Sequence, residues 1–163
     1  IAKRFGISRN EAMKNVKVFN ESAAMGFLPA LRDAMYYVKR LHEEHGYVFR
    51  CITSMSLDPN AKKLRQMNLE KLFGKTAFEE LVCLDTGAAK DDALAPYKDS
   101  GLWWIEDKME NAVAGLDVGL RPILIEHGFN MNDTVPPGIT KVVNWKEIYQ
   151  LVTNPYSDII IKG

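Results

Sequence analysis

The feature that most limits what this chain can fold into is an alternation. Apolar runs rich in β-branched and aromatic residues occur at Tyr47–Thr53, Leu81–Leu84, Leu102–Ile105, Pro122–Ile125 and Val142–Val143. Such side chains suit a pleated surface. Between the runs lie segments with apolar residues at helical spacing, such as Leu64, Met67, Leu69 and Leu72. Parallel neighbours cannot be joined by a hairpin and need a crossover, usually a helix. The alternation therefore predicts an α/β chain of βαβ units, with a mainly parallel sheet covered on both faces.

Helix punctuation supports this reading. Ser8-Arg9-Asn10-Glu11 has capping-box spacing and predicts a helix over 9–20. Pro29 suits a first helical turn and Gly46 a stop, predicting a helix between them. Asp58-Pro59 starts a helix that Gly74 ends, residues 109–118 form one closed by Gly119, and Trp145–Val152 forms the last. The first helix precedes every strand, so residues 1–26 are expected to belong to a small helical cap and residues 27–154 to the core. Residues 155–163 form a tail that the pattern leaves unassigned between an edge strand and an extension.

Charge removes some functions. Lysine plus arginine and aspartate plus glutamate each number 21, so no overall basic field marks a nucleic-acid binder. Cys51 and Cys83 lie far apart in apolar runs, as expected of two reduced thiols in a cytoplasmic protein. No apolar stretch reaches membrane-spanning length. A homo-oligomer is left open.

The chemistry collects at strand ends, because ligands of open parallel sheets bind outside the carboxyl ends of the strands. One run ends in Thr53-Ser54, the next in Asp85-Thr86-Gly87 followed by Lys90, and the third in Glu106-Asp107. Adjacent carboxylates become tolerable beside a hard cation such as Mg²⁺. Hydroxyls can hold phosphoryl oxygens, and a lysine supplies charge against them. Each feature has a plainer use. Thr53-Ser54 could be a turn, Lys90 a solvated side chain with Lys98 its competitor, and Glu106-Asp107 the first-turn acids of the following helix. Asn111 could face solvent, and Trp103 and Trp104 belong to the core. His42 and His45, three apart on one helix, more often serve the negative helix end than a metal. Arg50, inside an apolar run, requires an edge position or a buried ion pair. Phe19 and Met25 are candidate cap contacts to substrate that carry no weight in the reading, and His127, after the fourth strand, receives no role.

In this order the segments resemble the haloacid dehalogenase-like (HAD) phosphohydrolase superfamily. F-L-P-A-L-R-D-A-M-Y-Y-V-K-R-L-H-E-E-H-G-Y-V-F-R-C-I-T-S-M-S, residues 27–56, is similar to the family's helix and phosphate-binding strand, and I-T-S to the C-T-S of its 5′(3′)-deoxyribonucleotidase branch. W-I-E-D-K-M-E-N-A-V-A-G is similar to its fourth motif, and G-L-R-P-I-L-I-E-H-G-F-N to the next strand and loop. The resemblance covers roughly residues 27–152. It implies a three-layer Rossmann-like core and a Mg²⁺-dependent phosphohydrolase acting on a phosphomonoester, with a nucleoside monophosphate favoured. By that match Thr53, Ser54 and Lys90 contact phosphate, Thr53 and Lys90 take part in catalysis, Asp107 binds Mg²⁺ directly, Glu106 binds through water, and Asn111 supports them.

One departure limits the match. The family's D-x-D-x-[TV] signature, whose first aspartate becomes phosphorylated, does not occur between Ile1 and Thr53. Asp85-Thr86-Gly87 follows the threonine and has glycine where the second acid belongs. The chain opens on Ile1 rather than Met, so the expectation is that the nucleophile segment lies upstream. The alternative is a non-catalytic HAD-like domain that binds phosphate or a partner protein.

Overall fold

The computed structural model describes residues 6–154. The tail at 155–163 lies outside the described residues. The described chain divides into two compact units, one formed by residues up to 30 together with 47–89, the other by 31–46 together with those from 90 onward.

In the first unit, helix α1 (Arg9–Asn20) begins at the predicted residue. Its capping box is closed in both directions: Glu11 N donates to Ser8 Oγ at 3.2 Å, and Ser8 N donates to Glu11 Oε2 at 2.9 Å. A 3-10 turn (Ala23–Phe27) follows. Strand β1 (Phe49–Ser54), helix α3 (Pro59–Phe73) and strand β2 (Phe78–Leu84) then form one parallel βαβ unit, with Thr53 opposite Cys83. Asp58 caps α3 through Asn60 N and Ala61 N, and proline occupies the first turn as predicted. Met25, Met55 and Ala61 form the local core. Asn68, 1% exposed, donates to Leu28 O at 2.9 Å and accepts from Arg65 at 2.6 Å, which ties the 3-10 turn to α3.

The second unit begins with helix α2 (Ala34–His45), which ends at left-handed Gly46 as expected. It starts five residues after Pro29. Asp33, at its N-cap, makes no cap bond to α2; its carboxylate instead accepts from Trp145 N and Lys146 N, both at 3.0 Å. The acid thus serves another helix's orphan amides, a use that local sequence does not display. A short helix α4 (Asp91–Leu94) and a 3-10 turn (Ala95–Tyr97) follow, neither of them predicted. Strand β3 (Trp103–Glu106), helix α5 (Met109–Asp117), strands β4 (Arg121–Ile125) and β5 (Thr140–Val142) and helix α6 (Trp145–Thr153) complete the unit. The strands are parallel in the order β3-β4-β5. Strand β4 alternates its apolar side chains between two clusters. Ile123 and Ile125 pack with Val142 and Ile148, and Leu124 packs with Ala112 and Ile139.

This architecture corrects the expected fold class. The chain is α/β, but among the described residues its five strands make two small parallel sheets, of two and of three strands. They do not make one three-layer Rossmann-like, HAD-like sheet with helices on both faces. The reason is physical. A βαβ crossover specifies that consecutive strands pair in parallel, but it says nothing about whether pairs join. Among the described residues β1 has one ladder partner, β2, and β3 has one, β4. Exposure follows the same division: β4 is buried at four of five positions, whereas Arg50, Glu79 and Glu80 of β1 and β2 are exposed.

Candidate functional site

Of the charged residues singled out in the sequence, Lys90, Glu106 and Asp107 come together at the carboxyl end of β3. Strand alternation turns Trp104 and Glu106 inward, and both are buried, Glu106 at 5% exposure. An isolated carboxylate there would carry a large desolvation cost. Lys90, at the N-cap of α4, supplies the counter-charge: its Nζ contacts Glu106 Oε1, with both side chains largely shielded from water. Leu94, fully buried one turn on, anchors α4 and so fixes the approach of Lys90. The ammonium also lies 5.3 Å from the Trp104 ring centroid, within cation–π range.

Glu106 is fully engaged. Oε1 accepts from Lys90 and from Asn111 Nδ2 at 3.3 Å, while Oε2 accepts from Asp107 N at 3.0 Å and Lys108 N at 3.4 Å. A carboxylate offers about four lone-pair positions, so none remains for direct metal ligation. Asp107 differs. It is half-buried, and among the described residues its carboxylate has no hydrogen-bond or ion-pair partner, its backbone alone being bonded. The adjacent acids are compatible because Glu106 is neutralised by Lys90.

Mg²⁺ is held by one or two carboxylates together with waters and substrate oxygens. Asp107 fits as one such anchor. Among the described residues no group of three or more His, Cys, Asp or Glu side chains could hold a metal, so any cation at Asp107 would take most of its oxygens from water and substrate. Asn111 acts through Glu106, and its carbonyl accepts the Trp104 indole N–H at 3.0 Å. Lys98 is exposed and plays no part in the network.

Thr53 and Ser54 close β1 in the first unit. Ser54 Oγ donates to Ala88 O at 2.7 Å, and the Thr53 hydroxyl has no partner among the described residues. The following loop is tied down, since Met55 O accepts from Asn20 Nδ2 at 2.8 Å and from the Thr86 hydroxyl. Asp85 is exposed beside that loop. Cys51 and Cys83 form no disulfide among the described residues, and burial pushes the Cys83 thiol up.

Other singled-out residues have structural partners. Arg50 forms an exposed pair with Glu79 at 2.5 Å, answering the edge expectation. His45, in the last turn of α2, hydrogen-bonds the Tyr149 hydroxyl at 2.8 Å. Phe19 is exposed, and Met25 lies in the first unit's core.

Two residues that the sequence reading passed over shape the β3 edge. Asn130, 1% exposed, donates to Asp107 O at 2.7 Å and Ile125 O at 2.9 Å and accepts from His127 N at 2.8 Å. It staples the ends of β3 and β4. Lys141 Nζ donates to the carbonyls of Asn130 and Met131, each at 2.8 Å, and of Asp133 at 3.3 Å. The signal was modest: a polar loop following an apolar strand.

Among the described residues no helix is long and apolar enough to cross a membrane. No family model matches the chain, and no solved structure matches it significantly. Among curated proteins it is similar to an uncharacterized 32.4 kDa protein from the Gp30-rIII intergenic region of Enterobacteria phage T4, at 21% identity over 155 residues. That alignment covers 94% of this chain and 54% of the phage protein, so the chain spans about half the length of the relative it matches.

Proposed function

We propose that this chain is part of a Mg²⁺-dependent phosphohydrolase of the HAD type, acting on a phosphomonoester, with a nucleoside monophosphate as substrate. The observation that carries this reading is the β3 edge, where Lys90 neutralises a buried Glu106 and the Asp107 carboxylate has no partner among the described residues. Such an edge holds a cation through one carboxylate and keeps a positive charge near the anion it binds. When bound, Mg²⁺ would shield the phosphoryl oxygens and favour attack at phosphorus. Glu106 orients Lys90, Lys90 counters phosphate charge, and Asn111 and the 107–108 amides hold Glu106 in place. Thr53 and Ser54 enter through the resemblance alone, as phosphate contacts. The attacking aspartate of an aspartyl-phosphate route is not among residues 1–53 and would come from outside this sequence.

Phosphate release from a panel of phosphomonoesters tests the proposal, assayed on the full-length protein with Mg²⁺ and with EDTA. Metal-dependent turnover that Asp107→Asn lowers by about a hundredfold or more supports it; no turnover on any phosphomonoester contradicts it. A second reading, a non-catalytic phosphate-binding domain, is favoured by the missing D-x-D-x-[TV] signature. It predicts phosphate binding without turnover in the same assay.

A further inference from the structure

We propose that His127 and Phe129 form a stacking platform for the base of a nucleoside monophosphate, beside Asp107 on the edge of the β3-β4-β5 sheet. The proposal rests on the nucleotide reading above and adds to it the residues that would recognise the base. The two rings are nearly parallel, with 9° between their planes and 5.3 Å between centroids. Phe129 is nonetheless 62% exposed. The pair thus presents an open aromatic face, and a planar aromatic ring is what extends such a stack. Every nucleobase has a π-face, so a platform of this kind accepts bases without reading their edges.

The loop is held in place at this position. Buried Asn130 bonds both the Asp107 carbonyl and the His127 amide, so one side chain spans the acidic edge and the start of the stack. Lys141 gathers three carbonyls of the same loop onto one ammonium. An exposed ring held by such a scaffold is pre-organised, which lowers the entropic cost of stacking a ligand on it. Asp107 repels a bare phosphate, so a nucleotide here needs Mg²⁺ to bridge the two. A nucleoside lacking phosphate does not.

The test follows the His127 and Phe129 ring signals by NMR during four titrations of the protein. The probes are adenosine alone, thymidine alone, ribose 5-phosphate with Mg²⁺, and adenosine 5′-monophosphate with Mg²⁺. The expected result is ring-current shifts from the nucleosides without metal, and binding of the monophosphate about tenfold tighter than ribose 5-phosphate. Phe129→Ala should erase that advantage and leave ribose 5-phosphate binding unchanged; Phe129→Trp should preserve it. A base that adds nothing to ribose 5-phosphate binding, or an advantage that survives Phe129→Ala, overturns the platform while leaving the phosphohydrolase reading intact. Nucleoside shifts that vanish in Phe129→Ala, with no Mg²⁺-dependent binding of either phosphate, support the platform and remove the phosphohydrolase reading.

Discussion

Strand β1 ends on hydroxyls, whereas β3 ends on charges, and the two ends are organised differently. At the β1 end Ser54 donates to a loop carbonyl, and the Thr53 hydroxyl has no partner among the described residues. Neutral groups of this kind need only local hydrogen bonds, each contributing about 1 kcal/mol. At the β3 end a carboxylate is buried, and this requires a lysine brought in from a separate helix, an amide side chain and two backbone N–H groups. A buried ion pair is often no more stable than an apolar replacement. Its presence is therefore better explained by what it positions, the Lys90 ammonium at the end of β3, than by stability.

The largest effect expected from breaking this contrast is at Glu106. Glu106→Ala strands the Lys90 ammonium in a largely buried position and should cost about 3–5 kcal/mol by chemical denaturation. Ser54→Ala, at the neutral edge, should cost only about 1 kcal/mol. Comparable losses would erase the distinction between the two edges.

Next comes the packing beneath the charged edge. A Cβ on Gly115 would lie 2.3 Å from Trp104 Cδ1, far inside van der Waals contact. Gly115→Ala should therefore cost about 1–3 kcal/mol and displace the indole from beneath Lys90. Near-UV circular dichroism reports the indole, and an unchanged spectrum and midpoint would contradict this packing.

A smaller effect belongs to the first unit. Ser8→Ala removes one arm of the capping box and should cost about 1 kcal/mol. The Ser8 backbone N–H, then its side chain, holds the Glu11 carboxyl below its ordinary 4.5. A depressed folded value means this contribution is complete above pH 4.5 and fades as pH falls through the folded value. Thermal melts between neutral and acidic pH should show Glu11→Ala converging with the parent chain at the acid end. A gap that stays constant across the range would contradict this.

How much of this the sequence displayed depended on how local each cause was. The capping box of α1, the Asp58-Pro59 start of α3 and the Gly46 stop of α2 were legible because neighbours in sequence make them. The start of α2 was not, because Asp33 bonds amides more than a hundred residues away. The division into two sheets was not, because alternation encodes pairing between consecutive strands and not the continuity of a sheet. At the candidate site, the acidic pair and Lys90 could be picked out, but not the unequal duties of Glu106 and Asp107. Those depend on which carboxylate alternation turns inward and on what meets it there. Asn130 was missed since its function is to bridge two strand ends, a property with no local pattern.

The smallest expected effect on stability is also the most informative about function. Asp107→Asn removes a half-buried carboxylate without a side-chain partner among the described residues, so folding should change by no more than about 0.5 kcal/mol. The decisive measurement is paramagnetic broadening of the 105–109 amide signals by Mn²⁺, a stand-in for Mg²⁺ that reports even weak binding. Broadening in the parent chain that disappears in Asp107→Asn, with the fold unchanged, is the predicted result. Broadening that persists in Asp107→Asn, or is lost in a folded Glu106→Gln while Asp107 remains, would contradict the division of labour between the two acids.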